Sequence, residues 1–152
     1  MRKHTYSKPP KAKVKETAAD PFEKRRRALF SHPALQSQDV DSFIIRSQYN
    51  RYYLTGFWGS EGFLIARPDT SFLLVDSRYE EVAASLQTPS LKVLNIPSAQ
   101  RLMRFLGETL KSVHCERVAF ESHLVTVAEA ENLKKVARGI AWVPVEGVVE
   151  KF

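Results

Sequence analysis

From residue 42 onward, short continuous apolar runs alternate with stretches in which apolar side chains recur every three or four positions. That rhythm predicts buried strands separated by helices. Ser42-Phe-Ile-Ile-Arg46, rich in β-branched residues, predicts the first strand. Gly62-Phe-Leu-Ile-Ala66 and Ser71-Phe-Leu-Leu-Val75 predict two more, joined as a hairpin by the polar Arg67-Pro-Asp-Thr70, so the sheet should be mixed rather than purely parallel. Leu91–Ile96, Arg117–Phe120 and Ala141–Val145 bring the expected sheet to five or six strands, and Pro144 points to an edge or a strand end for the last of them.

Helix signals fall between these runs. Asp20-Pro21 couples a capping residue to a proline suited to the first helical position, and Phe22, Ala28, Leu29 and Phe30 give that helix an apolar stripe that should stop before His32-Pro33. Asn50 to Leu54 predicts one or two helical turns closed by Gly56, with Gly59 and Gly62 bracketing a second turn. Ser77-Arg-Tyr-Glu80 matches a capping box at the head of a helix to about Leu86, and Thr126-Val-Ala-Glu129 repeats it before a helix to about Arg138, stopped by Gly139. Ser98 is expected to cap a longer helix whose Leu102, Phe105, Leu106, Leu110 and Val113 form one face that must pack on the sheet.

Composition narrows the class. With 152 residues, 43% hydrophobic and 26% charged, the chain supports one globular domain. Residues 1–19 have almost no large apolar side chains and include Pro9-Pro10, which predicts a disordered basic tail ahead of a domain over residues 20–152. No apolar run approaches the roughly 20 residues of a membrane span, and the N-terminus lacks the apolar core of a secretory signal, so a cytoplasmic protein is expected. The single Cys115 leaves no partner for an internal disulfide or a cysteine zinc site. Of the 23 Lys/Arg and 17 Asp/Glu, ten basic and three acidic residues lie in 1–27, so that segment carries +7 and the remainder −1. Any affinity for nucleic acid should be weak and confined to residues 1–27, because the body carries no basic excess.

Four segments carry a resemblance. They are Asn50-Arg-Tyr-Tyr-Leu-Thr-Gly-Phe-Trp-Gly-Ser-Glu-Gly62; Asp76-Ser-Arg-Tyr79; Arg117-Val-Ala-Phe-Glu-Ser122 with Thr126-Val-Ala-Glu-Ala-Glu-Asn-Leu-Lys134; and Val145-Glu-Gly-Val-Val149. Together, and in this order, they resemble the N-terminal domain of the creatinase/prolidase/Xaa-Pro aminopeptidase family over about residue 23 to the C-terminus. The resemblance implies an α/β domain with a ribonuclease-H-like motif. It also implies that catalysis belongs to a second, C-terminal pita-bread domain, where two Asp, one His and two Glu hold two divalent metal ions for cleavage of proline-containing peptides. This chain ends at Phe152, about where that domain should begin, so no catalytic residue, metal ligand or cofactor is expected within it. The expected role is to cover the active site of the partner domain, limit it to small peptides, and contribute to subunit contacts in a homo-oligomer such as a dimer. Tyr52-Tyr53, Trp58 and the lysine-rich tail depart from the family pattern.

Five residues are the substrate-rim or interface candidates: Tyr53, Phe57, Trp58, Arg78 and Tyr79. For Thr55–Gly62 the simpler reading is a turn scaffold with glycines for positive φ and Phe57 for packing, whereas Trp58, an indole between two turns, also suits an interface. Capping accounts for Asp76 and Ser77 but not for Arg78. A nuclease-like carboxylate set of Glu61, Asp76 and Glu121 rests on fold analogy alone, a poor warrant for function. His114-Cys115 is badly placed for a thiol and its base, because adjacent side chains diverge. His4, His32, His114 and His123 show no metal-ligand spacing. A second class of function stays open: a stand-alone module that binds protein or nucleic acid through its surface and basic tail.

Overall fold

Asp20 accepts a hydrogen bond from the Phe22 amide and Pro21 starts the first helix, α1 (Pro21–Leu29), as the capping signal predicts. The computed structural model describes residues 19–97 and 100–152. Residues 1–18 of the tail predicted over 1–19, and the predicted cap Ser98, lie outside these described residues. A short helix that the sequence pattern did not announce, α2 (Pro33–Gln36), follows because His32 caps it through Nδ1 and Pro33 supplies its first position.

Next come β1 (Ser42–Ile45), α3 (Gln48–Thr55), β2 (Phe63–Ala66) and β3 (Ser71–Val75). After these lie a 3-10 turn (Ser77–Tyr79), α4 (Glu80–Ala84), β4 (Leu91–Asn95), α5 (Leu102–Ser112), β5 (Arg117–Glu121), α6 (Val127–Val136), β6 (Ala141–Val145) and a closing 3-10 turn (Val149–Lys151). The six strands form one sheet in the order β4-β3-β2-β1-β5-β6. Only β2 runs against its neighbours; β3 and β4 are parallel, as are β1, β5 and β6. This is the mixed sheet that the hairpin predicts, in the α/β arrangement with a ribonuclease-H-like motif that the resemblance implies.

Strand periodicity explains why the predicted runs are uninterrupted. In β1, Phe43 and Ile45 join Leu64, Leu73, Val75, Leu29 and Leu54 in a core against α1 to α4, while Ile44 turns the other way to meet Ile65, Leu74, Leu106, Leu110 and Leu133 under α5 and α6. Each fully buried Leu or Ile contributes about 1.5–3 kcal/mol of transfer free energy. The β6 edge is protected as Pro144 implied. Ala141 N–H bonds Glu116 O and Val145 O accepts from Ser122, so alternate residues face β5 and Pro144 turns its missing N–H outward.

Three local readings need correction. Asp76, not Ser77, caps the turn after β3, accepting from the Arg78 amide at 3.0 Å, and α4 stops at Ala84 rather than Leu86. A 3-10 turn intervenes, so Glu80 is not placed to reach back as a capping box requires. Helix α5 begins at Leu102 with Arg101 at its cap, and α6 ends at Val136 with Ala137 closing it, leaving Gly139 (φ 88°) in the turn beyond. The capping box at Thr126 and Glu129 forms as predicted, at 3.1 and 2.9 Å.

Part of the basic segment is built into the fold. Arg26 is fully buried, donating to Leu54 O at 2.9 Å and to Ser90 Oγ at 3.0 Å. Arg25 stacks over Tyr53 and donates to its carbonyl, and Arg27 pairs with Glu23 at 2.6 Å. Three of the ten N-terminal cations are thereby committed to internal contacts.

Candidate functional site

The connection from α3 to β2 is anchored by one buried guanidinium. Ser47 caps α3 by accepting from the Asn50 amide, and the helix closes on Gly56 in the left-handed conformation. Thr55 Oγ1 donates back to Arg51 O at 2.7 Å and accepts from Phe57 N at 3.1 Å, which turns the chain out of the helix. Arg51, fully buried, then donates to Gly59 O at 2.5 Å and to Gly62 O, clamping both ends of the loop. Burial, and to a lesser extent the nearby Arg46, lowers the Arg51 guanidinium to about 10, so it stays charged at neutral pH and delivers charge-assisted bonds.

Two glycines permit this path. A Cβ on Gly59 would lie 2.5 Å from Phe57 Cζ, and one on Gly62, at φ 139°, would lie 2.8 Å from Leu74 O. The loop's aromatics divide by face. Phe57 is 0% exposed and meets Tyr79 edge-on at 5.4 Å, so it packs the core rather than the rim. Trp58 points outward, 51% exposed, with Tyr49 (74%) and Tyr52 (52%) edge-on to it at 5.4 and 5.6 Å. Two rings from α3 and one from the loop thus form a single exposed aromatic patch.

The remaining candidates separate similarly. Tyr53 is half-buried beneath Arg25. Tyr79 ties its hydroxyl to Ser60 Oγ at 2.9 Å and to Ser60 N at 3.3 Å, bonds that hold the phenol below its ordinary value. Arg78 lies exposed and forms a forked pair with Asp76, at 2.7 Å through Nη2; that hydrogen bond raises the guanidinium and lowers the carboxyl. The structure thus gathers Phe57, Trp58 and Tyr79 on one loop and its support, and leaves Tyr53 on the α1 side.

Beside the loop, the ends of β1 and β5 carry a polar network. Glu121 is fully buried and accepts from Arg46 N (2.8 Å), Ser47 N (2.9 Å) and Asn50 Nδ2 (2.6 Å), where the N-terminus of α3 favours a carboxylate. Asn50 also donates to Glu150 at 3.1 Å, and Glu150 meets His123 Nε2 at 2.9 Å. Arg46 directs its side chain to Glu61 and Glu129, at 3.6 and 3.5 Å. Glu61, Asp76 and Glu121 are therefore each engaged by different groups. Among the described residues, no three or more His, Cys, Asp or Glu converge as a metal site. Cys115 is buried against Ser42 Oγ at 3.0 Å, and burial pushes its thiol up.

Sequence reasoning left out Tyr49, took Asn50 and Arg51 only as part of the Asn50–Gly62 segment, and met Glu121 only in the carboxylate set with Glu61 and Asp76. An aromatic at position 49 followed by Tyr52, three residues on, is a helical-face signal that was available; burial of Arg51 had none.

A six-stranded mixed sheet with one reversed strand and a glycine-framed aromatic loop defines a mixed α/β domain. The family it belongs to is the creatinase/prolidase N-terminal domain, whose model matches residues 31–152. The uncharacterized peptidase YqhT of Bacillus subtilis is 30% identical over 113 residues, covering 74% of this chain and 31% of that protein. The N-terminal domain of the cytoplasmic peptidase PepQ from Mycobacterium tuberculosis superposes with a TM-score of 0.69 at 29% identity, over 86% of this chain and 96% of that one. An Xaa-Pro dipeptidase from Bacillus anthracis gives 0.76 at 19% identity, over 86% of this chain and 35% of that one, a likeness of fold. The chain thus spans about a third of the length of the longer relatives it matches. Among the described residues, no helix is long and apolar enough to cross a membrane.

Proposed function

We propose that this chain is the non-catalytic cover domain of an Xaa-Pro dipeptidase- or aminopeptidase-like metallopeptidase. Its partner is a C-terminal pita-bread domain holding two divalent metal ions, and it takes part in subunit contacts of a homo-oligomer. The observation that carries the reading is the exposed patch of Tyr49 and Tyr52 on α3 with Trp58 on the loop clamped by Arg51, in a chain belonging to this family. Rigid, exposed aromatics beside the carboxyl ends of β1 and β5 suit a surface that meets another domain and narrows the approach of proline-containing peptides. The same reading places the protein in the cytoplasm, the compartment in PepQ's name.

Two assays test it. The purified 152-residue chain, incubated with Xaa-Pro dipeptides and Mn²⁺, Co²⁺ or Zn²⁺, should show no hydrolysis; turnover by clean protein refutes the reading. A chimera in which this chain replaces the matching segment of YqhT should cleave short Xaa-Pro peptides better than long ones. Alanine at Tyr49 and Trp58 should relax that length preference, and an unchanged preference counts against the cover role.

A further inference from the structure

Helix α3 carries two of the three exposed rings and is only eight residues long. Isolated helices shorter than about 12–15 residues are marginal in water, so contacts from outside must set its position and rotation. Its far end is held by Gly56 and by the Arg51 clamp. Its near end rests on a side chain of the sheet. Glu121 closes β5, a strand paired on one side with β1 and on the other with β6, and is fully buried.

The two oxygens of this carboxylate divide the work. Oε2 accepts from the Arg46 and Ser47 amides at 2.8 and 2.9 Å, which fixes the chain as it enters α3. Oε1 accepts from Asn50 Nδ2 at 2.6 Å, inside the first turn. A helix turns by about 100° per residue, so drawing the buried Asn50 inward sends Tyr49 and Tyr52 outward, within about 60° of each other. Arg46 also reaches Glu61 on the loop side at 3.6 Å, so the same carboxylate braces both flanks of the patch. The partly exposed Glu150, 3.1 Å from Asn50 Nδ2, is a second and weaker hold on the same amide.

The contacts with Trp58 are sensitive to this rotation. A turn of about 30° would move a ring some 5–6 Å from the helix axis by roughly 3 Å. From the observed 5.4 and 5.6 Å, that displacement leaves the window of about 4.5–7 Å in which edge-on rings attract.

We infer that Glu121 and Asn50 are a positioning pair for the aromatic patch: the carboxylate sets the rotation of α3 and with it the direction in which Tyr49 and Tyr52 meet Trp58. Any consequence for peptide selection rests on the cover-domain reading; the positioning itself does not.

An exchange of donor and acceptor tests the pair in the full chain, with NMR cross-peaks from the Tyr49 and Tyr52 rings to the Trp58 indole as the readout. E121Q turns an N–H₂ group toward Asn50, and N50D sets a carboxylate against Glu121 and Glu150; each should abolish the cross-peaks. N50D/E121Q reverses the polarity of the bond and should restore them. Amide protection of β1 and β5 verifies that the sheet is intact, and a purely stabilising role for Glu121 predicts that the cross-peaks persist whenever it is. Cross-peaks that survive both single changes overturn the proposal, as does a double variant that fails to recover them. Where a single variant loses the sheet, the double variant decides by the same criterion. In the YqhT chimera E121Q should relax the preference for short peptides through KM rather than kcat. An unchanged preference there, with the cross-peaks lost in the free chain and regained in N50D/E121Q, refutes the cover role and supports the positioning pair.

Discussion

Replacing Arg51 with methionine should uncouple the aromatic loop from the sheet. The variant keeps most of the apolar stem but removes the donors to Gly59 O and Gly62 O. Hydrogen bonds from a charged group are worth about 1.5–3 kcal/mol each, so two would amount to roughly 3–6 kcal/mol. Against that stands the relief of burying a guanidinium whose Nε has no partner and whose pKa is lowered by desolvation. A net loss of about 3 kcal/mol remains, which for a chain of this size lowers Tm by roughly 6–12 °C. R51K, able to serve one carbonyl at a time, should lose about half as much. Thermal unfolding followed by far-UV circular dichroism gives the stability, and the Trp58 indole NMR signal reports the loop. The two readouts should move together. If R51M melts within about 2 °C of the parent with an unshifted Trp58 signal, the clamp contributes nothing and the loop owes its shape to Phe57 packing and the glycines.

Other expectations follow from equally local geometry. In G107A the new Cβ would stand 2.3 Å from Val136 O, so α5 and α6 must separate; overpacking of about 1–3 kcal/mol should outweigh the roughly 1 kcal/mol of helix propensity gained, and a rise in the urea midpoint contradicts this. T126A removes half of the capping box of α6 and should cost about 1 kcal/mol in urea unfolding, with faster amide exchange at Glu129; an unchanged midpoint counts against the cap. Burial works to raise the Glu150 carboxyl, but the bonds from His123 and Asn50 outweigh it and hold the group below its ordinary 4.5. Its contribution is therefore present above about pH 4.5 and lost as pH falls through the lower folded value. The difference in urea midpoint between the parent and E150Q should be present at about pH 7 and shrink below about pH 4, and a constant difference across that range refutes the assignment.

The order of strands and helices was legible because each depends on neighbours in sequence. Apolar runs such as Phe63–Ala66 and Leu73–Val75 bury on both faces whatever their partners are, and the Asp20-Pro21 and Thr126–Glu129 caps satisfy their amides within one turn. The family resemblance was carried by the same local segments. Helix ends resisted where the backbone chose between equivalent local bonds, as with Asp76 displacing Ser77 as the cap.

Tertiary structure decided which polar residues matter. Arg26 reads as one more cation of a basic run, yet it lies in the core because Leu54 O and Ser90 Oγ, 28 and 64 residues away, converge to receive it. Arg51 reads as a helix-surface cation but is buried because the loop folds back over it. Glu121 and Glu150 lie 71 and 100 residues from Asn50, so their meeting at one amide depends on β5 pairing beside β1 and on the exit from β6. Periodicity records how a residue relates to its own element. Burial of a charge, and the exposure of Tyr49, Tyr52 and Trp58 as one patch, depend on contacts that exist only once the sheet is assembled.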